Sequence, residues 1–137
     1  MKKLALVTWM VLLCACVPKV EAPALQAEGS LAMSLPEMAA ALNAGDVSSA
    51  TLVAGYVKRI DAIDRAGPEL RAVLSVNPLA MQEARNMDRL REEGRLLGPL
   101  HGIPILLKDN IESKDPMATT AGSLALKDNV TGRDAPL

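Results

Sequence analysis

Lys108 is the residue of this chain whose type and position are best suited to chemistry. It follows the apolar run 103–107 and precedes the polar pair Asp109 and Asn110. Burying an ammonium group without a partner is costly, so a lysine placed after such a run is either paired or used. Desolvation by aliphatic neighbours lowers a lysine pKa and populates the neutral form that a general base needs. The residues alone leave a second interpretation open, in which Lys108 ends a strand and points into solvent.

The other residue types that could support hydrolysis are few. His101 is the only histidine, so a serine-histidine-acid triad would have to use it. No His or Cys cluster has metal-site spacing and no phosphate-binding glycine motif occurs, so we expect no metal and no cofactor. Adjacent strand residues point to opposite faces, so the sequence does not decide whether Asp109 pairs with Lys108.

The composition argues against a nucleic-acid partner. The formal net charge is -1, and the basic residues are interleaved with acidic ones along the chain. The sequence has one Trp, one Tyr and no Phe, while 50% of its residues are apolar. A core would therefore be built from aliphatic side chains and methionine.

The hydrophobic spacing predicts an α/β order of elements that could position Lys108. A capping box of Ser34 and Glu37 predicts a first helix, which Gly45 ends. Ser48 or Ser49 can cap a second helix that runs to the Gly67-Pro68 pair. The remaining predicted elements are a strand over 70–76, a third helix that begins at Asn77-Pro78, a strand over 103–107 and a short helix within 119–126. The inner stripe predicted for the third helix is Leu79, Ala80, Ala84, Met87 and Leu90.

The N-terminal residues are typical of an export signal. Residues 1–16 combine two lysines with an apolar segment shorter than the roughly 20 residues that a membrane-spanning helix needs. The segment LCAC, which ends at Cys16, resembles a bacterial lipobox and implies lipidation of Cys16 and an anchor in the cell envelope. Cleavage after Ala22 is the alternative, giving a soluble periplasmic or secreted protein, although Pro23 disfavours it. Residues 17–33 then form a flexible tether.

Two segments of the chain resemble a known family. GPLHGIPILLKDN over 98–110 and TTAGSLAL over 119–126 are similar to the lysine-bearing N-terminal portion of amidase signature enzymes, and the similarity extends from Ser34 to the C-terminus. It implies an α/β/α sandwich around a mixed sheet, of which residues 34–137 form a part. It also implies that Lys108 is the general base of a Ser-Ser-Lys triad, and that His101 is structural. The residues implied to support the site are Asp109, Asn110, Thr119, Thr120, Gly122 and Ser123.

The resemblance also implies a function and a limit to it. In that family the lysine accepts a proton through a bridging serine, and a second serine attacks a carboxamide carbonyl. The pattern stops before either serine, and Ser123 precedes the nucleophile region. We therefore expect the N-terminal part of an amidase for small amides or C-terminally amidated peptides, inactive by itself. The alternative is a noncatalytic envelope lipoprotein derived from an amidase; the oligomeric state stays open.

Overall fold

The computed structural model describes residues 31–136, which form three α-helices. These are α1 over Leu35–Ala44, α2 over Ser49–Arg59 and α3 over Ala80–Glu92. A π-helical segment over Ile60–Arg65 continues α2, and a short 3-10 turn covers Leu124–Leu126. Within this described part no helix is long and apolar enough to cross a membrane. The predicted signal, Cys16 and most of the tether lie outside the described residues.

Both predicted ends of α1 are confirmed. The backbone N–H of Ser34 donates to the Glu37 carboxylate at 2.7 Å, and the Ser34 hydroxyl donates to the same oxygen at 2.6 Å. At the other end, Gly45 adopts a φ of 79°, a left-handed conformation in which glycine carries no Cβ penalty. Both ends of α1 are therefore set by interactions between residues that are close in sequence.

The start of α2 depends on a residue from another helix. Ser48 is the cap, because its hydroxyl accepts from the Thr51 N–H at 3.0 Å. The Asp88 carboxylate of α3 accepts from the N–H groups of Ser49 at 2.6 Å and of Ala50 at 3.0 Å. The side chain of Ser49 is fully buried instead. This pairing of a carboxylate with free helix N–H groups joins α2 to α3.

The core is aliphatic, as the composition predicts. Met38, Leu42 and Leu52 form its buried centre, and Ile103 packs against them. Leu52 is completely inaccessible to solvent, and burying a leucine contributes about 1.5–3 kcal/mol. The predicted inner stripe of α3 is confirmed only in part: Ala84 and Leu90 are buried, Met87 and Ala80 are half-buried, and Leu79 is 40% exposed.

The two predicted strands are not formed by the described residues. The runs 70–76 and 103–107 contain no residue paired in a ladder, and their large apolar side chains are mostly exposed, with Leu74 at 70% and Leu106 at 78%. The buried Asp64 carboxylate accepts instead from the N–H groups of Ala72 at 2.7 Å and Val73 at 3.1 Å. A strand forms only where a neighbouring strand pairs with its backbone groups, and residues 31–136 supply none for these runs.

The boundaries of the other predicted elements differ by a few residues. The helical path from α2 ends at Arg65, just before Gly67-Pro68, with a π-helical widening that the spacing did not predict. The third helix begins at Ala80 and not at Pro78; the Asn77 side chain accepts from the Leu79 N–H at 2.8 Å and forms a turn first. The helix predicted within 119–126 is reduced to its last three residues, because a tight turn precedes it.

The connection that leads to Lys108 is anchored to the helices at two residues. His101 is 6% exposed; its Nδ1 accepts from the Leu97 N–H at 3.1 Å and its Nε2 donates to the Met87 carbonyl at 2.9 Å. Gly102 lies so close to α2 that an added Cβ would stand 2.1 Å from the Ser49 hydroxyl oxygen. The path of the chain toward Lys108 therefore starts from a fixed point.

Replacing Gly102 by alanine is expected to destabilise the fold more than the same change at Gly94. Both glycines have a left-handed φ, 79° and 71°, but a Cβ at Gly94 meets nothing within 4 Å. Gly94→Ala should cost about 1 kcal/mol for the conformation alone, and Gly102→Ala roughly 1–3 kcal/mol more for the clash. Urea unfolding of the two purified variants measures the difference.

A further variant separates the clash from other causes. Ser49→Ala removes the hydroxyl oxygen that the new Cβ would meet and should recover part of the loss in Gly102→Ala. Equal destabilisation of Gly94→Ala and Gly102→Ala would contradict the close approach of Gly102 to α2.

Candidate active site

The structure places Lys108 at the surface of the described part. Its carbonyl oxygen accepts from the Ile111 N–H at 2.9 Å, which closes a turn directly after the apolar run. Its side chain is exposed, and within residues 31–136 its ammonium group forms no ion pair. The apolar run before Lys108 is not covered within residues 31–136: Ile105 is 68% exposed and Leu107 is 45% exposed. No layer of residues 31–136 covers this run.

Asp109 connects the two segments that the sequence analysis singled out. Its carboxylate accepts from the Thr120 N–H at 3.0 Å, from the Gly122 N–H at 3.1 Å and from the Thr120 hydroxyl through a short hydrogen bond. Its carbonyl oxygen accepts from the Ala121 N–H at 3.2 Å. Asp109 therefore pairs with the turn after Thr119 and not with Lys108, which answers a question that the sequence left open.

The turn that receives Asp109 has an unusual backbone. Ala121 and Gly122 have φ values of 48° and 74°, and the Ser123 N–H donates to the Thr120 carbonyl at 2.9 Å. Two successive left-handed residues are typical of a type I′ turn, and they direct neighbouring N–H groups toward one point. Alanine is rarely found in this conformation, so the hydrogen bonds to Asp109 hold it there.

The other predicted site-supporting residues lie around this turn with different roles. The Thr119 N–H donates to the Asn129 carbonyl at 2.9 Å, and the Asn129 side chain donates to the Thr119 carbonyl at 3.1 Å. Ser123 is half-buried and precedes the 3-10 turn. Asn110 is exposed and does not join the turn. The structure thus brings Asp109, Thr120 and Gly122 into direct contact, with Thr119 and Ser123 flanking them.

A group of contacts that the sequence did not predict joins residues 112–114, in the loop after Lys108, to residues 133–135. Arg133 donates to both oxygens of the Glu112 carboxylate at 2.8 Å, and the Asp134 carboxylate accepts from the Lys114 N–H at 3.0 Å. The Glu112 carbonyl accepts from the Ala135 N–H at 3.0 Å. Glu112 and Arg133 are 21 positions apart, and only their opposite charges hint at the pairing in the sequence.

The side chains of Ser113 and His101 both form hydrogen bonds within the described part. Ser113 is 8% exposed; its hydroxyl donates to the Asp115 carboxylate at 2.8 Å and accepts from the Asp115 N–H at 3.1 Å. Both ring nitrogens of His101 are occupied by backbone groups, and its carbonyl accepts from the Arg91 guanidinium at 2.6 Å. A serine-histidine pair is therefore not assembled within residues 31–136.

Hydrogen bonds to the ionised carboxylates lower the pKa values of two acids near Lys108. The hydroxyl of Thr120, followed by the N–H groups of Thr120 and Gly122, holds the pKa of Asp109 below its ordinary value. The guanidinium of Arg133 lowers the pKa of Glu112 in the same way and raises its own. Both acids are therefore ionised at neutral pH.

Two clefts of the described part lie away from Lys108. A cleft of about 280 Å³ lies where α1, α2 and α3 meet, lined by residues such as Asp46, Asp88 and Arg91. A second cleft, of about 380 Å³, is lined by Asp64, Arg65, Arg71, Val73 and Leu74. Neither is lined by Lys108 or by the turn of Asp109. Among residues 31–136, no three His, Cys, Asp or Glu side chains gather in a way that could hold a metal ion.

Comparison with known proteins identifies the family. The model of the family described as Amidase matches residues 51–137, which is more than half of the chain. The chain belongs to the Amidase family. This confirms the resemblance to amidase signature enzymes, and the solved neighbours support an α/β fold of that type, although residues 31–136 form no strand.

Several members of the Amidase family are similar to this chain over most of its length. The native peptide amidase of Stenotrophomonas maltophilia is 54% identical with a TM-score of 0.67, over 70% of this chain and 20% of its own. A peptide amidase in complex with the competitive inhibitor chymostatin is 52% identical with a TM-score of 0.69, over 72% and 20%. A glutamyl-tRNA(Gln) amidotransferase subunit of Chloroflexus aurantiacus is 46% identical over 64% of this chain and 17% of its own. The chain thus spans about a fifth or less of these relatives.

The lowered pKa of Asp109 predicts a defined loss of stability in acid. An acid whose pKa is depressed in the folded state contributes stability above its unfolded pKa of about 3.9, and this contribution disappears as the pH falls through the folded value. In Asp109→Asn this group no longer titrates, so the Tm should fall less between pH 6 and pH 3 than in the wild type. Thermal unfolding at both pH values is the measurement.

A matched variant checks that the effect comes from Asp109. Asp128 is 86% exposed, and its one ion pair within residues 31–136 is with Lys127 at 3.7 Å, so Asp128→Asn should keep the pH dependence of the wild type. If Asp109→Asn and Asp128→Asn lost Tm equally between the two pH values, the hydrogen bonds to Asp109 would not stabilise the fold.

Proposed function

We propose that this chain is the N-terminal part of an amidase that hydrolyses carboxamide C–N bonds to an acid and ammonia or an amine. The observation that supports this most is the joining of two separate motif segments: Asp109, next to Lys108, accepts hydrogen bonds from Thr120 and Gly122. Membership of the Amidase family gives these segments their functional meaning. The proposal therefore combines a family assignment with a local geometry around the lysine.

In the proposed reaction Lys108 acts as the general base of a Ser-Ser-Lys triad. The neutral amine takes a proton from a bridging serine, which takes one from the nucleophilic serine as it attacks the carbonyl carbon. The C–N bond then breaks, the leaving nitrogen receives the proton, and water hydrolyses the acyl-enzyme to release the acid. Neither Ser113 nor Ser123 fits these roles, so Lys108 is the one member of the proposed triad that we assign among residues 31–136, and we expect these residues by themselves to hydrolyse no amide.

The proposed enzyme completes an α/β/α sandwich with a mixed sheet. In it, the runs 70–76 and 103–107 become strands once neighbours pair with their backbone groups. The exposure of Leu74, Ile105 and Leu106 supports this, because such large apolar side chains are normally covered.

The proposed substrates are small amides or C-terminally amidated peptides. The similarity to peptide amidases, one of them solved with an inhibitor, supports this class. Similarity to a glutamyl-tRNA(Gln) amidotransferase supports the same amide chemistry in a different setting. The predicted export signal favours a hydrolase, because an exported protein does not meet aminoacyl-tRNA in the cytoplasm.

Substitution of Lys108 in the full-length enzyme tests the proposed mechanism. Lys108→Ala should lower kcat for an amidated peptide by at least about 100-fold, because it removes the general base. Lys108→Arg should be equally impaired, since a guanidinium keeps its charge but does not give up its proton near neutral pH. Release of ammonia or amine is the measurement. Lys127→Ala is the control, because Lys127 is an exposed lysine of the same region whose one ion pair in the described part is with Asp128.

Two outcomes would count against this function. Full turnover by Lys108→Ala would remove Lys108 from the mechanism. A full-length protein that hydrolyses no amide but binds a peptide as a compact monomer, with binding unchanged in Lys108→Ala, would instead support the noncatalytic envelope lipoprotein.

We further propose that the protein is exported and anchored in the bacterial cell envelope through a lipid on Cys16. Intact-mass spectrometry of the mature protein should show an N-terminus at Cys16 with the added mass of a lipid. Cys16→Ser should abolish that mass and release the protein from the membrane fraction. An unmodified N-terminus at Pro23 would instead indicate a soluble periplasmic or secreted protein.

A further inference from the structure

Residue 109 is tied to the turn 120–123 through both its side chain and its backbone. The carboxylate accepts hydrogen bonds from the N–H groups of Thr120 and Gly122 and from the Thr120 hydroxyl. The Asp109 carbonyl accepts one from the Ala121 N–H at 3.2 Å. Every residue of the segment 120–122 thus donates to Asp109. Such a set of bonds fixes the position of residue 109 and not only the direction of its side chain.

This attachment also fixes the backbone of Lys108. Consecutive Cα atoms stand about 3.8 Å apart, so holding residue 109 holds residue 108. On its other side, the Lys108 carbonyl accepts from the Ile111 N–H at 2.9 Å. The lysine side chain is long and flexible, so its reach toward a reacting group is set by where this backbone is held.

The same hydrogen bonds engage the carboxylate of Asp109 with the turn 120–123 and not with Lys108. Two N–H groups and a hydroxyl converge on the carboxylate from the turn, and within residues 31–136 no ion pair joins it to Lys108. A carboxylate paired with an ammonium group favours the charged form of the lysine. A lysine that has to work as a base is therefore helped when the adjacent carboxylate is occupied elsewhere.

We propose that Asp109 is a positioning residue of the amidase, which holds the backbone of Lys108 against the turn 120–123 and keeps its own carboxylate off the lysine. This inference rests on the proposed function, because Asp109 acts through Lys108. It takes no part in the chemistry itself. Its loss should therefore lower kcat while leaving KM nearly unchanged.

Two variants of the full-length enzyme test this role in different ways. Asp109→Asn places an amide NH₂ donor among the donors of the turn, and Thr120→Val removes one hydroxyl while keeping the shape of the side chain. Each should lower kcat for an amidated peptide by roughly 10- to 100-fold with KM nearly unchanged. Thr120→Ser retains the hydroxyl and should keep the wild-type kcat. Asp128→Asn, which changes an exposed carboxylate of the same region, should keep it too.

Hydrogen exchange gives a readout that does not depend on activity. The amides of Thr120 and Gly122, taken together, should exchange faster in Asp109→Asn than in the wild type, because asparagine offers one acceptor oxygen where aspartate offers two. Should Asp109→Asn fail to fold, Thr120→Val and Thr120→Ser carry the test by themselves.

The outcomes separate this inference from the proposed function. If Lys108→Ala abolishes activity but Asp109→Asn and Thr120→Val keep the wild-type kcat, the positioning role is overturned and the amidase function stands. Equal losses in Thr120→Val and Thr120→Ser, or a raised KM with unchanged kcat, also overturn the positioning role. If Lys108→Ala keeps its activity, the function of Lys108 and the role of Asp109 fall together.

Discussion

Aspartate carboxylates that accept pairs of backbone N–H groups are the interaction on which the described structure depends. Asp88 joins α2 to α3, Asp64 holds the extended run after the π-helical segment, and Asp109 holds the turn 120–123. Each carboxylate satisfies two donors that neither a helix nor a ladder satisfies within residues 31–136. Burying or constraining such N–H groups without acceptors is costly, so these three residues decide where the connecting segments lie.

These contacts form a continuous path from the core to the candidate catalytic lysine. Ile103 packs against the aliphatic centre, and Gly102 fits against Ser49 where no larger residue has room. The chain then leaves the helices, passes Lys108 and is held again at Asp109. Beyond this point the Glu112 and Arg133 pair closes the loop. Lys108 thus lies between two anchored points, although its own side chain forms no ion pair within residues 31–136.

The exposed apolar runs fit the proposal that the fold extends beyond the described residues. The chain spans about a fifth or less of the relatives that it matches, and their fold continues far beyond the part described. A surface that exposes Leu74, Ile105 and Leu106 is what the proposed completion of a sheet would cover. Local capping makes α1 largely independent of such a completion, whereas the runs 70–76 and 103–107 can form strands only if other strands pair with them.

Local sequence signals were enough to predict α1 and the family of the chain. Capping residues, glycine stops and helical spacing act within a few positions, so Ser34, Glu37 and Gly45 place α1 correctly, and two motif segments single out Lys108 and the family. Three contacts became visible only in the folded chain: those of Asp109 with Thr120 and Gly122, of Asp88 with the start of α2, and of Arg133 with Glu112. The physical reason is distance along the chain: these donors and acceptors are 11 to 39 positions apart, and their pairing follows from packing. The two runs predicted as strands show the same limit, because an apolar pattern states a preference and only a neighbouring strand can satisfy it.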